Sequence, residues 1–280
     1  MSTLTTVKSP TVSRPEATPK TVLMCRPDYF TVSYRINPWM YPENPTNQQR
    51  ALEQWNTLYR TYLELGIDVE LIDPIAGLPD MVYAANGGFV IDGIAYGARF
   101  RHPERQPEGP AYLQRLAELG FVAREAREVN EGEGDFLLVG DTILAAHGFR
   151  SDSGSHEEVA QVFSRRVLTL TLVNPSYYHL DTALAVLDDH TIAYLPEAFD
   201  ERSRSVLQEH YPDAVIATEP DAAVLGLNLF SDGYNVVMAA QATTLRRDIE
   251  QRGFTTHPVD LSELLLGGGG VKCCTLELRR

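Results

Sequence analysis

The chain of 280 residues repeats one hairpin-like signature four times. It reads as a short apolar run, an Asp/Gly turn and a second apolar run, at residues 88–96, 135–144, 183–193 and 228–237. The turn markers Asp92, Gly140, Asp188 and Asp232 are spaced by 48, 48 and 44 residues. A period of that length marks a repeat architecture, in which each unit buries its apolar face against its neighbours. One more step reaches a strand at 275–278, where the sequence stops, so this hairpin needs its second strand from elsewhere. The strand at 21–25 is the expected partner, closing a ring by joining the two ends of the chain.

Helical periodicity fills the gaps between hairpins. Residues 47–64 place Leu52, Trp55, Leu58, Tyr59 and Tyr62 at helical spacing and precede a strand at 69–72. The same order, helix then strand, is predicted at 110–119 with 121–123, at 156–165 with 168–172, at 200–210 with 214–216, and at 242–252 with a strand at Phe254. A doubly wound parallel sheet also alternates helix and strand, but it needs no hairpin in every unit. The pattern therefore predicts an α/β fold, a five-bladed pseudo-symmetric propeller of ββαβ repeats, as a single catalytic domain over residues 21–280. Residues 1–20 are rich in Ser, Thr and Pro and poor in large apolar side chains, and are expected to form a disordered tail.

A ring of repeats has one axis, and equivalent positions meet there. The position ahead of each hairpin holds Asn86, Asp135, Asp181, Asn228 and Cys273, spaced by 49, 46, 47 and 45 residues. His179 lies just before Asp181, and Glu131 opens the run Glu131-Gly-Glu-Gly-Asp135. A thiol attacks as its thiolate and needs a cation or a base to form it. A histidine can protonate a leaving group and then activate water. The carboxylates Glu131, Asp135 and Asp181 suit a planar cation that takes paired hydrogen bonds, which describes a guanidinium. Its charge would also depress the thiol pKa on binding. The four glycines at 267–270, just ahead of Cys273, read as a loop that lets backbone approach a ligand. Cys273 and Cys274 are expected in an extended segment with opposed side chains, so that only one faces the axis. Cys25 and Cys274 are read as structural.

Composition narrows the partners. A formal net charge of −14 argues against nucleic acid and agrees with a small cationic substrate. Three cysteines, two of them adjacent, form neither a disulfide framework nor a metal pattern. No metal or cofactor is expected, and reduced thiols fit a cytoplasmic protein. No apolar run approaches the roughly 18 residues a membrane helix needs, so no membrane partner is expected. A homo-oligomer is left open.

Four motifs together resemble the guanidino-group modifying superfamily of arginine deiminases, dimethylarginine dimethylaminohydrolases and amidinotransferases. They are Leu78-Pro-Asp-Met-Val-Tyr-Ala-Ala-Asn86, Glu131-Gly-Glu-Gly-Asp135, His179-Leu-Asp181 and Gly268-Gly-Gly-Val-Lys-Cys273-Cys-Thr. The resemblance implies the five-bladed α/β propeller, with no cofactor. It also implies Cys273 as nucleophile, from its Cys-x-Ser/Thr context, and His179 as the histidine. It further implies that Asn37, Asp80, Asn86, Glu131, Asp135 and Asp181 contact substrate, with Arg150 holding the substrate carboxylate and Arg99 helping. Asn86 stands where deiminases and dimethylarginine hydrolases carry Asp, and the acidic loop is one residue longer than in those enzymes. These departures, with Ile36-Asn-Pro-Trp-Met40 and Arg99-Phe-Arg-His-Pro-Glu-Arg105, resemble bacterial arginine dihydrolases. The expected reaction is covalent, cysteine-dependent hydrolysis of arginine to ornithine, carbon dioxide and ammonia. Release of citrulline and an alkylamine from methylated arginine is the first alternative, and amidino transfer the second.

Overall fold

The computed structural model describes residues 15–280, and their strands form five three-stranded sheets. Strand β1 (Thr21–Cys25), helix α1 (Gln48–Glu64) and strand β2 (Asp68–Ile72) come first. A complete unit follows as β3 (Gly88–Ile91), β4 (Ile94–Gly97), α2 (Glu108–Glu118) and β5 (Val122–Arg124). It recurs as β6 (Phe136–Val139), β7 (Thr142–His147), α3 (Gly154–Phe163) and β8 (Arg166–Thr171). The third copy is β9 (Leu184–Val186), β10 (Ile192–Tyr194), α4 (Glu201–His210) and β11 (Val215–Ile216). The fourth is β12 (Phe230–Ser231), β13 (Asn235–Ala239), α5 (Thr243–Gln251) and β14 (Thr255–Val259), and β15 (Leu276–Glu277) completes the chain. In each unit the hairpin is antiparallel and the strand after the helix adds in parallel. The helix supplies the crossover that a parallel pair requires.

The fifth sheet has the order β15-β1-β2. β1 pairs antiparallel with β15, Val22 opposite Glu277 and Leu23 opposite Leu276, and parallel with β2 along its whole length. The two ends of the sequence thus close the five-bladed propeller, as the repeat predicts. Of the tail expected over residues 1–20, residues 1–14 lie outside the described residues. Thr18 donates its backbone N–H to Asp232 O at 2.8 Å, against the β12–β13 turn.

Local chemistry explains the elements. Asn47 caps α1, its side chain accepting from Arg50 N at 3.0 Å and satisfying a free amide of the first turn. Ala51, Trp55, Leu58 and Tyr62 form the buried face of α1 and join Val22, Met24, Phe230 and Val237 in one apolar cluster. The β3–β4 turn has φ 50° at Asp92 and 75° at Gly93, the paired positive values that let a two-residue loop follow strand twist.

A short helical turn precedes the first strand of each blade. These turns are Ala84–Gly87, Gly132–Gly134, Leu180–Ala183, residues 223–227 and residues 271–274. They are bonded to one another in a circle. Asn86 Nδ2 donates to Glu131 O at 3.4 Å, and Leu180 N to Asp135 Oδ1 at 3.2 Å. Asn228 Nδ2 donates to Asp181 O at 3.0 Å, Lys272 N to Asn228 O at 3.2 Å, and Ala85 N to Cys273 O at 2.9 Å. The last bond exists only because β15 docks beside β1. Leu276 is fully buried among Leu23, Cys25, Val90 and Tyr112. Leu276→Ala is therefore predicted to cost about 2–5 kcal/mol in urea unfolding. Ile216→Ala, at a half-exposed β-strand position, should cost about 0.5 kcal/mol or less. Equal small losses would show that the closing strand does not carry the fold.

Candidate active site

The five turns bring Asn86, Glu131, Asp135, His179, Asp181, Asn228 and Cys273 into one buried group. The Cys273 thiol donates to Asp181 Oδ2 at 3.3 Å, and Asn228 Nδ2 donates to Cys273 Sγ at 3.2 Å. His179 Nε2 meets Glu131 Oε2 at 2.9 Å. Gly134 packs against this pair. A Cβ there would lie 2.3 Å from Asn86 Nδ2 and 3.3 Å from the His179 ring, so the longer acidic loop needs glycine.

Three polar atoms of this group are buried without a partner, Glu131 Oε1, Asp181 Oδ1 and His179 Nδ1, and so is Oδ1 of Asp80, which shares Arg105 with Glu131. A buried carboxylate oxygen with no donor is costly, so three in one place mark a site built for a ligand with several N–H donors. A planar guanidinium offers five.

Electrostatics sort these groups into roles. Burial opposes ionisation of Glu131, but Arg150, His179 and Arg105 outweigh it and hold the carboxyl below the usual carboxylate range. Burial, aided by Arg150 and Arg105, lowers His179 to about 4 against the pull of Glu131. The imidazole is therefore neutral near pH 7, and its Nε2 carries the proton it donates to Glu131. Nδ1 is left as an unshared lone pair, able to accept a proton. Burial pushes Asp181 up to about 7, although Cys273, Lys272 and Asn228 favour its charged form. Burial and the neighbouring Asp181 push the Cys273 thiol well above its ordinary value. The Cys273 thiol thus keeps its proton in the resting site and directs it at Asp181.

The other sequence candidates fall on both sides of this boundary. Asp80 accepts from Tyr34 Oη at 2.9 Å and lies 3.9 Å from Arg105 Nε, leaving Oδ1 free. Asn37 donates to Gly267 O at 3.0 Å and accepts from Trp39 N, so it braces the glycine loop. Asp135 is in place, but both its oxygens are used, by Ser151 Oγ at 2.6 Å and Leu180 N at 3.2 Å. The free carboxylate oxygens belong to Asp80, Glu131 and Asp181 instead. Arg150 is buried, donates to Glu131 Oε2 at 2.8 Å and stacks over Tyr178 at 4.6 Å. Arg99 is not brought to the group: its side chain is exposed and donates to Arg127 O. Arg105 takes that place, a residue quoted within the motif but given no role from sequence. It is buried, paired with Glu108 through Nε and Nη2, and donates from Nη1 to Asn86 Oδ1 at 2.8 Å. The three-residue spacing of Arg105 and Glu108, just ahead of the helix expected at 110–119, was the available signal. Cys273 and Cys274 lie in a turn rather than the extended segment expected, because Cys274 N bonds back to Gly270 O at 3.2 Å. Among the described residues, no three His, Cys, Asp or Glu side chains are placed to hold a metal ion. None of their helices is long and apolar enough to cross a membrane.

A thiol, an imidazole and unsatisfied carboxylates on the axis of five ββαβ blades define a guanidino-modifying α/β propeller. A family model described as N,N dimethylarginine dimethylhydrolase, eukaryotic, matches residues 26–280, and the chain belongs to that family of amidine-hydrolysing enzymes. It is 51% identical over 263 residues to the N(G),N(G)-dimethylarginine dimethylaminohydrolase of Mycobacterium tuberculosis, covering 93% of this chain and 87% of that one. It is 36% identical over 264 residues to the bifunctional arginine dihydrolase/ornithine cyclodeaminase ArgZ of Synechocystis sp.. That match covers 92% of this chain and 37% of ArgZ, so the chain spans little more than a third of that protein. The crystal structure of the ArgZ N-terminal domain covalently bound to a reaction intermediate superposes with a TM-score of 0.89 at 34% identity, covering 93% of this chain and 98% of that one.

The depressed His179 has a consequence for stability. An unfolded histidine titrates near 6.5 and the folded one near 4, so the unfolded state binds more protons between those values. Stability from neutral His179 is complete above about pH 6.5 and is lost as pH falls toward 4. Between about pH 6.5 and about pH 5, the wild type should lose about 2 kcal/mol more than His179→Gln in urea unfolding. Parallel losses in the two proteins would contradict a buried neutral imidazole.

Proposed function

We propose that the chain is a cysteine hydrolase acting at the guanidino carbon of a free arginine derivative, and that N-methylated arginine, converted to citrulline and an alkylamine, is its substrate. The observation that carries the chemistry is the cluster of unpartnered atoms on Asp80, Glu131, Asp181 and His179 around the Cys273 thiol. The guanidinium supplies the donors that these carboxylates lack. Its positive charge favours the thiolate, and the thiol proton passes to His179 Nδ1. The sulfur bonds to the guanidino carbon, and the carbon–nitrogen bond to the alkylamine breaks as the imidazolium returns that proton to the departing nitrogen. A thiouronium cation remains on Cys273. Water adds to its carbon while His179 takes a proton, and cleavage of the carbon–sulfur bond releases citrulline. Arg150 is the candidate for the substrate carboxylate, and binding there requires it to turn from Glu131.

The methylarginine reading ranks first because the 51%-identical relative bears that name. This reverses the order expected from sequence, where arginine to ornithine came first. The ornithine reading is kept for one observation. Asn86 stands at the site as a neutral amide, its oxygen engaged by Arg105 and one Nδ2 hydrogen by Glu131 O, so it offers its second N–H rather than a carboxylate. A donor there suits the carbonyl oxygen of a ureido group in a second round of hydrolysis. Amidino transfer would need an amine in place of water.

Incubation with asymmetric dimethylarginine and, separately, with arginine, followed by mass identification of products, separates the readings. Citrulline with dimethylamine is the expected result. Ornithine with ammonia from arginine would establish the second reading. Cys273→Ala should lower turnover by about 10³-fold or more. Full activity in that variant would remove the covalent step from both.

A further inference from the structure

The geometry points to Asn228 as a catalytic residue in its own right, the fixed hydrogen-bond donor to the sulfur of Cys273. This inference rests on the reading of Cys273 as nucleophile. Asn228 is fully buried and every hydrogen-bonding site of its amide is used. Oδ1 accepts from Cys273 N at 3.0 Å and from Gly270 N at 3.1 Å. Nδ2 donates to Asp181 O at 3.0 Å and to Cys273 Sγ at 3.2 Å.

This saturation leaves one orientation of the amide. A flip would set Oδ1 against the Asp181 carbonyl and the sulfur, and Nδ2 against two backbone N–H groups. Four hydrogen bonds would become four like-pole contacts among fully buried groups. One N–H is therefore aimed at Sγ by three neighbours on two other blades, whatever the protonation state of the thiol.

The need for such a donor follows from what else faces the sulfur. Asp181 Oδ2 lies 3.3 Å from it and favours the neutral thiol, while the backbone N–H of Gly270 favours the charged form. Lys272 is adjacent in sequence, but its ammonium is spent on Glu133 at 2.7 Å and Glu277 at 3.2 Å. The imidazole of the site, His179, is neutral and engaged with Glu131. Asn228 is thus the side chain among the described residues that donates directly to the sulfur. Hydrogen bonding to a charged form stabilises that form and lowers its pKa. The same amide holds the Cys273 and Gly270 backbone, so thiolate stabilisation and sulfur placement reside in one side chain.

The test is the pH dependence of alkylation of Cys273 by iodoacetamide without substrate, with the modified residue located by peptide mass spectrometry. Asn228→Ala is expected to raise the midpoint by about one pH unit, with a tenfold lower kcat near neutral pH and a KM within about twofold. A purely structural Asn228 would lower the melting temperature and leave that midpoint in place, and an unmoved midpoint in the folded variant overturns the inference. If Asn228→Ala does not fold, Asn228→Ser is read in the same way, with an upward shift supporting the role and an unchanged midpoint overturning it. Turnover surviving in Cys273→Ala would defeat the nucleophile reading separately, because the alkylation midpoint needs no catalysis.

Discussion

Five hydrogen bonds linking five turns in a circle hold the centre of this molecule together. Each turn precedes the first strand of a blade, and three of the links use a polar side chain while two are backbone to backbone. The circle closes only where Ala85 meets Cys273, and that contact depends on β15 lying beside β1. Strand pairing between the two ends of the sequence is therefore a condition for the site as well as for the sheet. It places the thiol of the fifth blade against the carboxylate of the third and the amide of the fourth.

So much buried polarity is tolerable only because most of it is paired. Lys272, Glu133, Glu277 and Arg279 form a network beside the thiol turn, with the Lys272–Glu133 contact at 2.7 Å. Arg105 and Glu108 do the same beside Asn86. Such networks are rigid rather than strongly stabilising, since desolvation offsets much of the attraction. Their value here is positional: they fix the turns, and the atoms left without partners then gather in one place. Those atoms mark the candidate site. On the proposed reading, a substrate cation completes hydrogen bonds that the protein leaves open, and its charge favours the Cys273 thiolate.

The period of the hairpins, the helix and strand between them, and the equivalence of Asn86, Asp135, Asp181, Asn228 and Cys273 were all legible in the sequence. Repeats impose a register, and register carries residues to a common axis whatever the details of packing. Orientation was not legible. Asp135 occupies its axial position yet spends both oxygens on Ser151 and Leu180. Arg99 and Arg105 belong to one motif, but the first turns to solvent and the second is drawn in by Glu108. Cys273 and Cys274 are separated by a turn, not by a pleat, because a backbone bond to Gly270 competes with extension.

The sequence by itself determined the architecture, the joining of its two ends, and the meeting of a thiol, a histidine, carboxylates and amides on one axis. Periodicity alone requires these. Tertiary structure decided which oxygens remain free, which arginine enters, that His179 is neutral, and which way the Asn228 amide points. Those outcomes turn on competition for hydrogen bonds among residues far apart in the chain, and that competition exists only once the ring has closed.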